Sequence, residues 1–291
     1  MSSMPPPPWF RQAIATEPQS GRFAVDGCDI HHLAWGTPGG EPVVLVHGNG
    51  AHARWWSFVA PFLAARGRHV GALDLGGMGE SGDPGPQSPE MFARQIAAMA
   101  EQLGGGRPVA LVGHSFGGLV AVGAVLHRPE LFRRLVVIDT PFHMGDRPPR
   151  SRGRKLAGAV HRDLADILRR FRLLPEQDCP DYVMDYIARH SVTGVRGGWS
   201  WKFRQNPWDS PHFESDIWTR HGTALATLRQ PVALLRAEQS SLCPPEAEAA
   251  WRAMAGPRVA ISVIPAAHHH APLDQPVAVA AVIDALLAAP A

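Results

Sequence analysis

The sequence predicts an α/β fold in which a mostly parallel central sheet is flanked by helices. Short apolar strands alternate with amphipathic helices along most of the 291 residues, a rhythm typical of a parallel sheet covered on both faces. A chain of this length is also sufficient for one large α/β domain. The most informative stretch, VALVGHSFGG at 109–118, predicts a strand, a sharp turn and the start of a helix.

The first predicted element is a β-hairpin over residues 22–36, because apolar residues alternate on both sides of the turn pair Asp26-Gly27. The later strands are predicted from short apolar runs: 43–46, 69–73, the run from Val109, 135–138, 232–235 and 259–264. The helices are predicted from apolar residues at helical spacing: 55–63, 89–103, 119–126, 246–255 and 276–289.

Composition excludes several classes of function. Apolar residues make up 45% of the chain and charged residues 19%, with a net charge of +2, so we expect no nucleic-acid or membrane partner. No uncharged apolar run is long enough to span a bilayer. Cys28, Cys179 and Cys243 are widely spaced, which favours reduced thiols in the cytoplasm. We expect residues 1–20, which begin MSSMPPPPWF, to be a flexible lead-in rather than a secretory signal.

The segment 140–230 departs from the strand and helix rhythm. Leu164, Ile167, Leu168 and Phe171 follow helical spacing. The segment is rich in aromatic residues, which either pack in the core or line a substrate pocket. Residues 147–172 hold nine Lys or Arg against two Asp, which indicates either a solvated face or attraction of an anionic partner.

The sequence Gly113-His114-Ser115-Phe116-Gly117 is a G-x-S-x-G pattern between a predicted strand and a predicted helix. Glycines two positions either side let neighbouring backbone approach while the serine occupies a strained turn. This nucleophile elbow resembles that of the α/β-hydrolase superfamily. The resemblance implies a core of residues 21–139 and 231–291 and a helical cap, 140–230, inserted after the sixth strand.

The resemblance also implies a chain order of serine, acid and histidine, with the histidine after the last strand. The loop Pro265 to Pro276 resembles the family's P-x-A-x-H loop, in which a proline follows the histidine by seven residues; this register selects His269. His268 and His270 remain alternatives. Three adjacent histidines also suggest a metal patch, but neighbouring side chains in an extended loop diverge, so we predict no metal and no cofactor.

The acid is the least regular part of the pattern. The family's usual aspartate follows the seventh strand, but Ser240 and Ser241 occupy that segment here. Part of the superfamily places the acid after the sixth strand, where this chain has Asp139. We therefore predict Asp139 as the catalytic acid and keep Glu238 as the alternative.

An acyl-transfer site also needs donors for the developing oxyanion. The resemblance implies the backbone N–H groups of Phe116, directly after the nucleophile, and of Asn49, in the HGNG loop at 47–50. His47 corresponds to a family position at which the side chain is usually structural and holds this loop in place. The loop from Asp74 to Ser81 resembles the family's D-x-R-G-x-G-x-S loop, with Gly76 replacing the arginine, and we assign no catalysis to it.

These features predict a cytoplasmic serine hydrolase that cleaves a small carboxylic ester or lactone through an acyl-enzyme. Ser115 attacks, His269 transfers the proton, Asp139 orients His269, and Asn49 and Phe116 hold the oxyanion. C–C bond hydrolysis of a ring-cleavage diketone is the alternative reaction. A non-catalytic binding protein with the same fold is the alternative from another class. Haloalkane and epoxide hydrolysis are disfavoured because their nucleophile is an aspartate.

Overall fold

The structure is a computed structural model that describes residues 5–144 and 159–289. Its strands are β1 (Gln19–Val25), β2 (Cys28–Trp35), β3 (Glu41–Val46), β4 (Arg68–Leu73), β5 (Val109–His114), β6 (Phe132–Ile138), β7 (Val192–Val195), β8 (Gly198–Trp201), β9 (Val232–Ala237) and β10 (Ala260–Ile264). Its helices are α1 (Pro8–Ala15), α2 (Ala60–Ala64), α3 (Pro89–Gly104), α4 (Phe116–His127), α5 (Leu164–Arg169), α6 (Asp181–His190), α7 (Ile217–Ala224), α8 (Ala247–Ala255), α9 (Ala271–Asp274) and α10 (Pro276–Ala288).

Within the described residues, eight strands form one sheet in the order β1-β2-β4-β3-β5-β6-β9-β10. Strands β1 and β2 are antiparallel to their neighbours, and the pairs from β4 to β10 are parallel. The predicted mostly parallel α/β sheet is confirmed. Its register aligns Val46 with Gly113, His114 with Ile138, and Ile138 with Leu235, so the loops after these strands meet at one edge.

The strands of the parallel part bury apolar side chains on both faces. Val44 and Val46 of β3 belong to the cluster that α3, α4 and α8 cover, whereas Val43 and Leu45 belong to the cluster that α2 and α10 cover. Continuous apolar strands of this kind are typical of a parallel sheet between two helix layers. This rigid core holds the carboxyl edge of the sheet in place.

Two local predictions need correction. The helix expected over 55–63 is a 3₁₀ turn, Ala53–Trp56, followed by the short helix α2, because Pro61 lacks the N–H that a continuous helix needs and suits a first turn. The flexible lead-in expected over 1–20 is wrong for 8–15, which form α1. There Phe10 is buried and its ring stacks on Phe58 at 5.3 Å; residues 1–4 lie outside the described residues.

The described part of the inserted segment, 159–230, is not purely helical. It contains α5, α6 and α7, but also the antiparallel hairpin β7–β8. The hairpin turn is Arg196-Gly197, and Gly197 has φ 92°, a conformation that suits glycine. The helical prediction missed this turn. Its role as a cap stays a prediction.

The basic segment at 147–172 falls partly outside the described residues, which resume at 159. In its described part, Arg169 and Arg170 both form ion pairs with Asp166, and all three side chains are largely exposed or half-buried. This arrangement is that of a solvated helix face. Over the described residues, no helix combines the length and apolar character needed to cross a membrane.

Candidate active site

Ser115 stands at the turn between β5 and α4. Its backbone has φ 55° and ψ −121°, a strained conformation for a residue other than glycine. A Cβ on Gly113 would lie 2.5 Å from the carbonyl oxygen of Gly117, and one on Gly117 would lie 2.4 Å from that of Val46. Both positions of the elbow therefore require glycine. Ser115 as a whole is half-buried.

His269 lies in the loop between β10 and α9 and faces Ser115. Its Nε2 is 3.0 Å from Oγ of Ser115, and its Nδ1 is 2.7 Å from Oδ2 of Asp139. Among the described residues, neither of the other two histidines of the run forms a hydrogen bond with Ser115. His268 binds Asp274 through Nδ1 at 2.9 Å, and the ring of His270 packs edge-on against Trp55. The structure thus brings His269, and neither neighbour, into the hydrogen-bond chain of the serine.

Asp139 follows β6 and is fully buried. Its carboxylate accepts hydrogen bonds from the backbone N–H of Ala237 at 2.8 Å, from Oγ of Ser240 at 2.5 Å and from His269. Glu238, the alternative acid, is exposed and accepts from the backbone N–H of Ala266 at 2.7 Å. Only Asp139 of these two therefore reaches the imidazole, and its role as catalytic acid stays a prediction.

Ser240 is a site residue that sequence reasoning missed. The segment after β9 lacks the family's usual aspartate. Its Ser240 hydroxyl instead donates a hydrogen bond to Oδ2 of Asp139, the same oxygen that accepts Nδ1–H of His269. Cys243 lies in the same environment. Burial and the negative charge of Asp139 hold the pKa of its thiol well above the usual value. Sequence reasoning overlooked that a buried carboxylate after β6 needs hydrogen-bond donors, and that a serine in the segment after β9 can supply one.

The loop at 47–50 lies against the nucleophile. A Cβ added to Gly48 would stand 3.5 Å from Cβ of Ser115. Among the described residues, the backbone N–H groups of Asn49 and Phe116 have no hydrogen-bond acceptor, and Phe116 opens α4, whose first N–H groups are unsatisfied by the helix. Both groups are thus available as hydrogen-bond donors, and their role as an oxyanion hole stays a prediction.

His47 holds two loops together. Its Nδ1 donates to the carbonyl of Gly48 at 2.8 Å, and its Nε2 accepts the backbone N–H of Leu75 at 3.1 Å. Burial lowers its pKa, so the imidazole stays neutral in this role. At Gly76, the position where the family carries arginine, the backbone N–H donates to Gln95 at 2.9 Å. The glutamine occupies the space that a side chain at 76 would need.

The inserted segment contacts the loops that carry the candidate site. Phe203 lies 3.9 Å from a Cβ added to Gly50, and the Asn49 side chain donates to Asn206 at 3.2 Å. The ring of Trp208 meets that of Phe116 edge-on at 5.5 Å. On the other side of the site, Gln177 accepts the backbone N–H of His270 at 2.7 Å. Two aromatic side chains of the insertion thus flank the two candidate oxyanion donors.

No metal was expected from the sequence, yet within the described residues His114, His269 and His270 place one ring nitrogen each within 4.8 Å of the others. His114 ends β5, so its approach depends on the fold. Burial, with the neighbouring His269, lowers the pKa of His114 to about 3 and lowers that of His270 well below its usual value. Both rings are therefore neutral.

Comparison with known proteins gives a family match and partial relatives. The sequence profile of the alpha/beta hydrolase family matches residues 43–282. Lipase LipV of Mycobacterium tuberculosis is 35% identical over 111 residues, which cover 38% of this chain and 41% of the lipase. Serine hydrolase-like protein of Homo sapiens is 32% identical over 126 residues, 42% of this chain and 61% of that protein. The matched stretch spans less than two thirds of either relative.

Solved structures resemble the chain over nearly its full length. E-2-(acetamidomethylene)succinate hydrolase has a TM-score of 0.76 at 20% identity, with 94% of this chain and 100% of that one covered. An esterase from Mycobacterium tuberculosis has a TM-score of 0.71 at 20% identity, with 97% and 96% covered. At such identities the likeness is one of fold.

Proposed function

The chain belongs to the alpha/beta hydrolase family, and on that premise we propose that it is a serine hydrolase of small carboxylic esters or lactones. The observation that carries the proposal is the hydrogen-bond chain from Oγ of Ser115 through His269 to Asp139, with separations of 3.0 and 2.7 Å. A serine hydroxyl is a poor nucleophile until a base is in reach and a third group orients that base.

The first half-reaction follows from this geometry. The carboxylate of Asp139 keeps the proton of His269 on Nδ1, so Nε2 presents a lone pair to the Ser115 hydroxyl. As Oγ attacks the ester carbonyl carbon, Nε2 takes the hydroxyl proton, and the imidazolium then donates it to the leaving alkoxide. The product is an acyl-enzyme on Ser115, and Asp139 stabilises the imidazolium while it exists.

The tetrahedral intermediate carries a negative oxygen that needs donors. The backbone N–H groups of Asn49 and Phe116 lack other acceptors among the described residues. They are part of the folded backbone, so they require no reorganisation during the reaction. In the second half-reaction, a water deprotonated by His269 attacks the acyl carbon. The bond to Oγ of Ser115 then breaks, His269 returns the proton to Oγ, and the acid leaves. For a lactone, the acid and the alcohol remain in one molecule.

The surroundings of Asn49 and Phe116 favour an apolar acyl group. Phe203 and Trp208 of the insertion are half-buried and lie beside these donors. Phe213 packs further inside, with its ring 5.8 Å from that of Phe116. Apolar walls with a few placed polar groups are typical of small-molecule sites. We therefore propose that the insertion closes over the acyl side of the substrate.

The decisive experiment is labelling with a fluorophosphonate, which forms a covalent bond only with an activated serine. We expect stoichiometric labelling of the wild-type chain and no labelling of Ser115→Ala. A folded wild-type chain that stays unlabelled would contradict the proposal and favour the non-catalytic binding protein.

The reaction class needs a second test. A panel of p-nitrophenyl esters and lactones, with a ring-cleavage diketone alongside, measures kcat/KM for each bond type. The proposal requires the esters or lactones to be turned over faster than the diketone. The reverse order would assign the same three residues to C–C bond hydrolysis.

A further inference from the structure

Three imidazoles meet beside the nucleophile. His114, His269 and His270 each offer one ring nitrogen, and these nitrogens lie within 4.8 Å of one another. The ring of His269 is 5.0 Å from that of His114 and 4.8 Å from that of His270. All three residues are buried. His268 takes no part in this cluster, because it binds Asp274.

Hydrogen bonds decide where two of the lone pairs lie. Nε2 of His114 is 2.8 Å from the carbonyl oxygen of His269. A carbonyl only accepts, so Nε2 carries the proton and the lone pair of His114 is on Nδ1. In the same way, the Asp139 carboxylate keeps the proton of His269 on Nδ1 and leaves the lone pair on Nε2. This Nε2 lone pair accepts the hydrogen bond from the Ser115 hydroxyl.

His270 is the unexplained member of the cluster. It is 5% exposed, and neither of its ring nitrogens meets hydrogen-bond geometry among the described residues, although the backbone carbonyls of Leu174 and Pro175 lie beside the ring. Its ring lies between Trp55 and His269. A buried polar group without a partner costs about 1–3 kcal/mol, and nothing in the proposed reaction uses this imidazole. A ligand that binds ring nitrogens would account for it.

We propose that His114, His269 and His270 bind a divalent transition-metal ion, and that this ion displaces the Ser115 hydroxyl from Nε2 of His269. Zn²⁺ commonly takes three protein nitrogens and a water at about 2.0–2.1 Å, so the nitrogens would stand about 3.4 Å apart. The three nitrogens now lie within 4.8 Å of one another, so the side chains must rotate to bring them to that shorter separation. Ser115, which borders the cluster, is half-buried rather than buried, and we infer that the ion enters from its side.

The ion would be a reversible inhibitor, because the lone pair that activates the serine is the one it takes. This inhibition rests on the proposed hydrolase function, whereas metal binding itself does not. Imidazole ligands suit Cu²⁺, Ni²⁺ and Zn²⁺, whereas Mg²⁺ and Ca²⁺ prefer oxygen ligands. The three-histidine cluster therefore discriminates between these two groups of ions.

The test is a calorimetric titration of the full, chelator-treated chain with Zn²⁺, and with Mg²⁺ for comparison. We expect one Zn²⁺ per chain, no Mg²⁺ binding, and loss of ester hydrolysis that EDTA restores. His270→Phe should weaken Zn²⁺ binding at least about tenfold while metal-free hydrolysis continues. The matched control is His268→Phe, which changes a histidine of the same run outside the cluster and should bind Zn²⁺ as the wild type does.

A second variant separates this inference from the proposed function. Ser115→Ala should bind Zn²⁺ at least as tightly as the wild type, because no hydroxyl competes for Nε2 of His269. If Ser115→Ala and the wild type bind Zn²⁺ but no ester is cleaved, the metal site stands and the hydrolase proposal fails. Absence of Zn²⁺ binding, or unchanged affinity in His270→Phe, overturns the metal site. Should His270→Phe not fold, His270→Gln is titrated and judged by the same criterion.

Discussion

The described part of the molecule contains two Ser-His-Asp hydrogen-bond chains with the same dimensions. The elbow triad (Ser115, His269 and Asp139) has separations of 3.0 and 2.7 Å. The strand triad (Ser20, His31 and Asp74) also has separations of 3.0 and 2.7 Å. In both, the histidine and aspartate are buried. Side-chain distances alone therefore do not distinguish the two.

The backbone around the serine does distinguish them. Ser115 has a strained backbone and precedes α4, and the N–H of Phe116 beside it lacks an acceptor among the described residues. Ser20 lies in the extended backbone of β1, opposite Leu33 of β2, without a helix N-terminus behind it. Electrostatic stabilisation of the oxyanion is usually the largest catalytic contribution, so we expect only the elbow triad to react.

The strand triad has a structural explanation. The two oxygens of Asp74 accept the backbone N–H groups of Ala53 at 2.6 Å and Glu80 at 2.9 Å, besides Nδ1–H of His31. The aspartate thus ties two loops to β2. Ser20, His31 and Asp74 also line a cavity of about 340 Å³. From this comparison we expect a triad beside a cavity to form an active site only where the backbone supplies the remaining donors.

The largest expected effect separates the two serines. Ser115→Ala should lower kcat for ester hydrolysis by a factor on the order of 10⁶, because the nucleophile is lost. Ser20→Ala, its matched control, should leave kcat unchanged. Steady-state kinetics measure both, and fluorophosphonate labelling should stop at one group per chain. A second labelled serine at position 20 would show that the strand triad is also activated.

The next effect concerns the histidine run. His269→Ala should be nearly as damaging as loss of the serine, because no other base lies in reach of Oγ of Ser115 among the described residues. His268→Ala should retain most activity, because that imidazole faces Asp274. Comparison of kcat between these two adjacent variants is the measurement. A dead His268→Ala with an active His269→Ala would mean that the loop register is wrong.

A smaller effect distinguishes the two candidate acids. Asp139→Asn should lower kcat roughly 10²–10⁴-fold, because the amide favours the wrong tautomer of His269. Its stability should change little, since the side chain keeps its shape. Glu238→Gln serves as the control and should be near neutral, because Glu238 is exposed and bound to the backbone of Ala266. The reverse pattern of kcat values would move the acid to the segment after β9.

The smallest effect is on stability and belongs to Asp74. Burial raises the pKa of Asp74, but the hydrogen bond from His31, with smaller contributions from nearby imidazoles, outweighs it and lowers the pKa from 3.8 to about 2. A carboxyl group with a lowered pKa stabilises the fold above its unfolded value, and this contribution is lost as the pH falls through the folded value.

The free energy of unfolding, measured with urea, should therefore fall by about 2 kcal/mol as the pH is lowered from about 4 to 2. Asp74→Asn should lack this part of the pH dependence and should be less stable at neutral pH. Asp29→Asn, which changes an exposed aspartate of β2, is the control. Identical curves for wild type and Asp74→Asn would contradict a structural role for the strand triad.

Much of the candidate site was named from local sequence. The elbow around Ser115 is readable because its glycines and apolar flanks lie within ten residues, and the spacing to Pro276 selected His269. The choice between Asp139 and Glu238 stayed open in the sequence, because it depends on which of two loops reaches the imidazole. The structure brings Asp139 to His269, and it also brings Ser240, which no local pattern marked.

By itself, the sequence determined the parallel α/β core, since apolar periodicity and turn residues act between near neighbours. It also determined the strained turn at Ser115, because the close approaches at Gly113 and Gly117 tolerate no other residue. Only the tertiary structure decided that α1 packs through Phe10, and that His114 meets His269 and His270. These features rest on contacts between residues far apart in the chain, whose energies depend on the fold as a whole and leave no periodic pattern in the sequence.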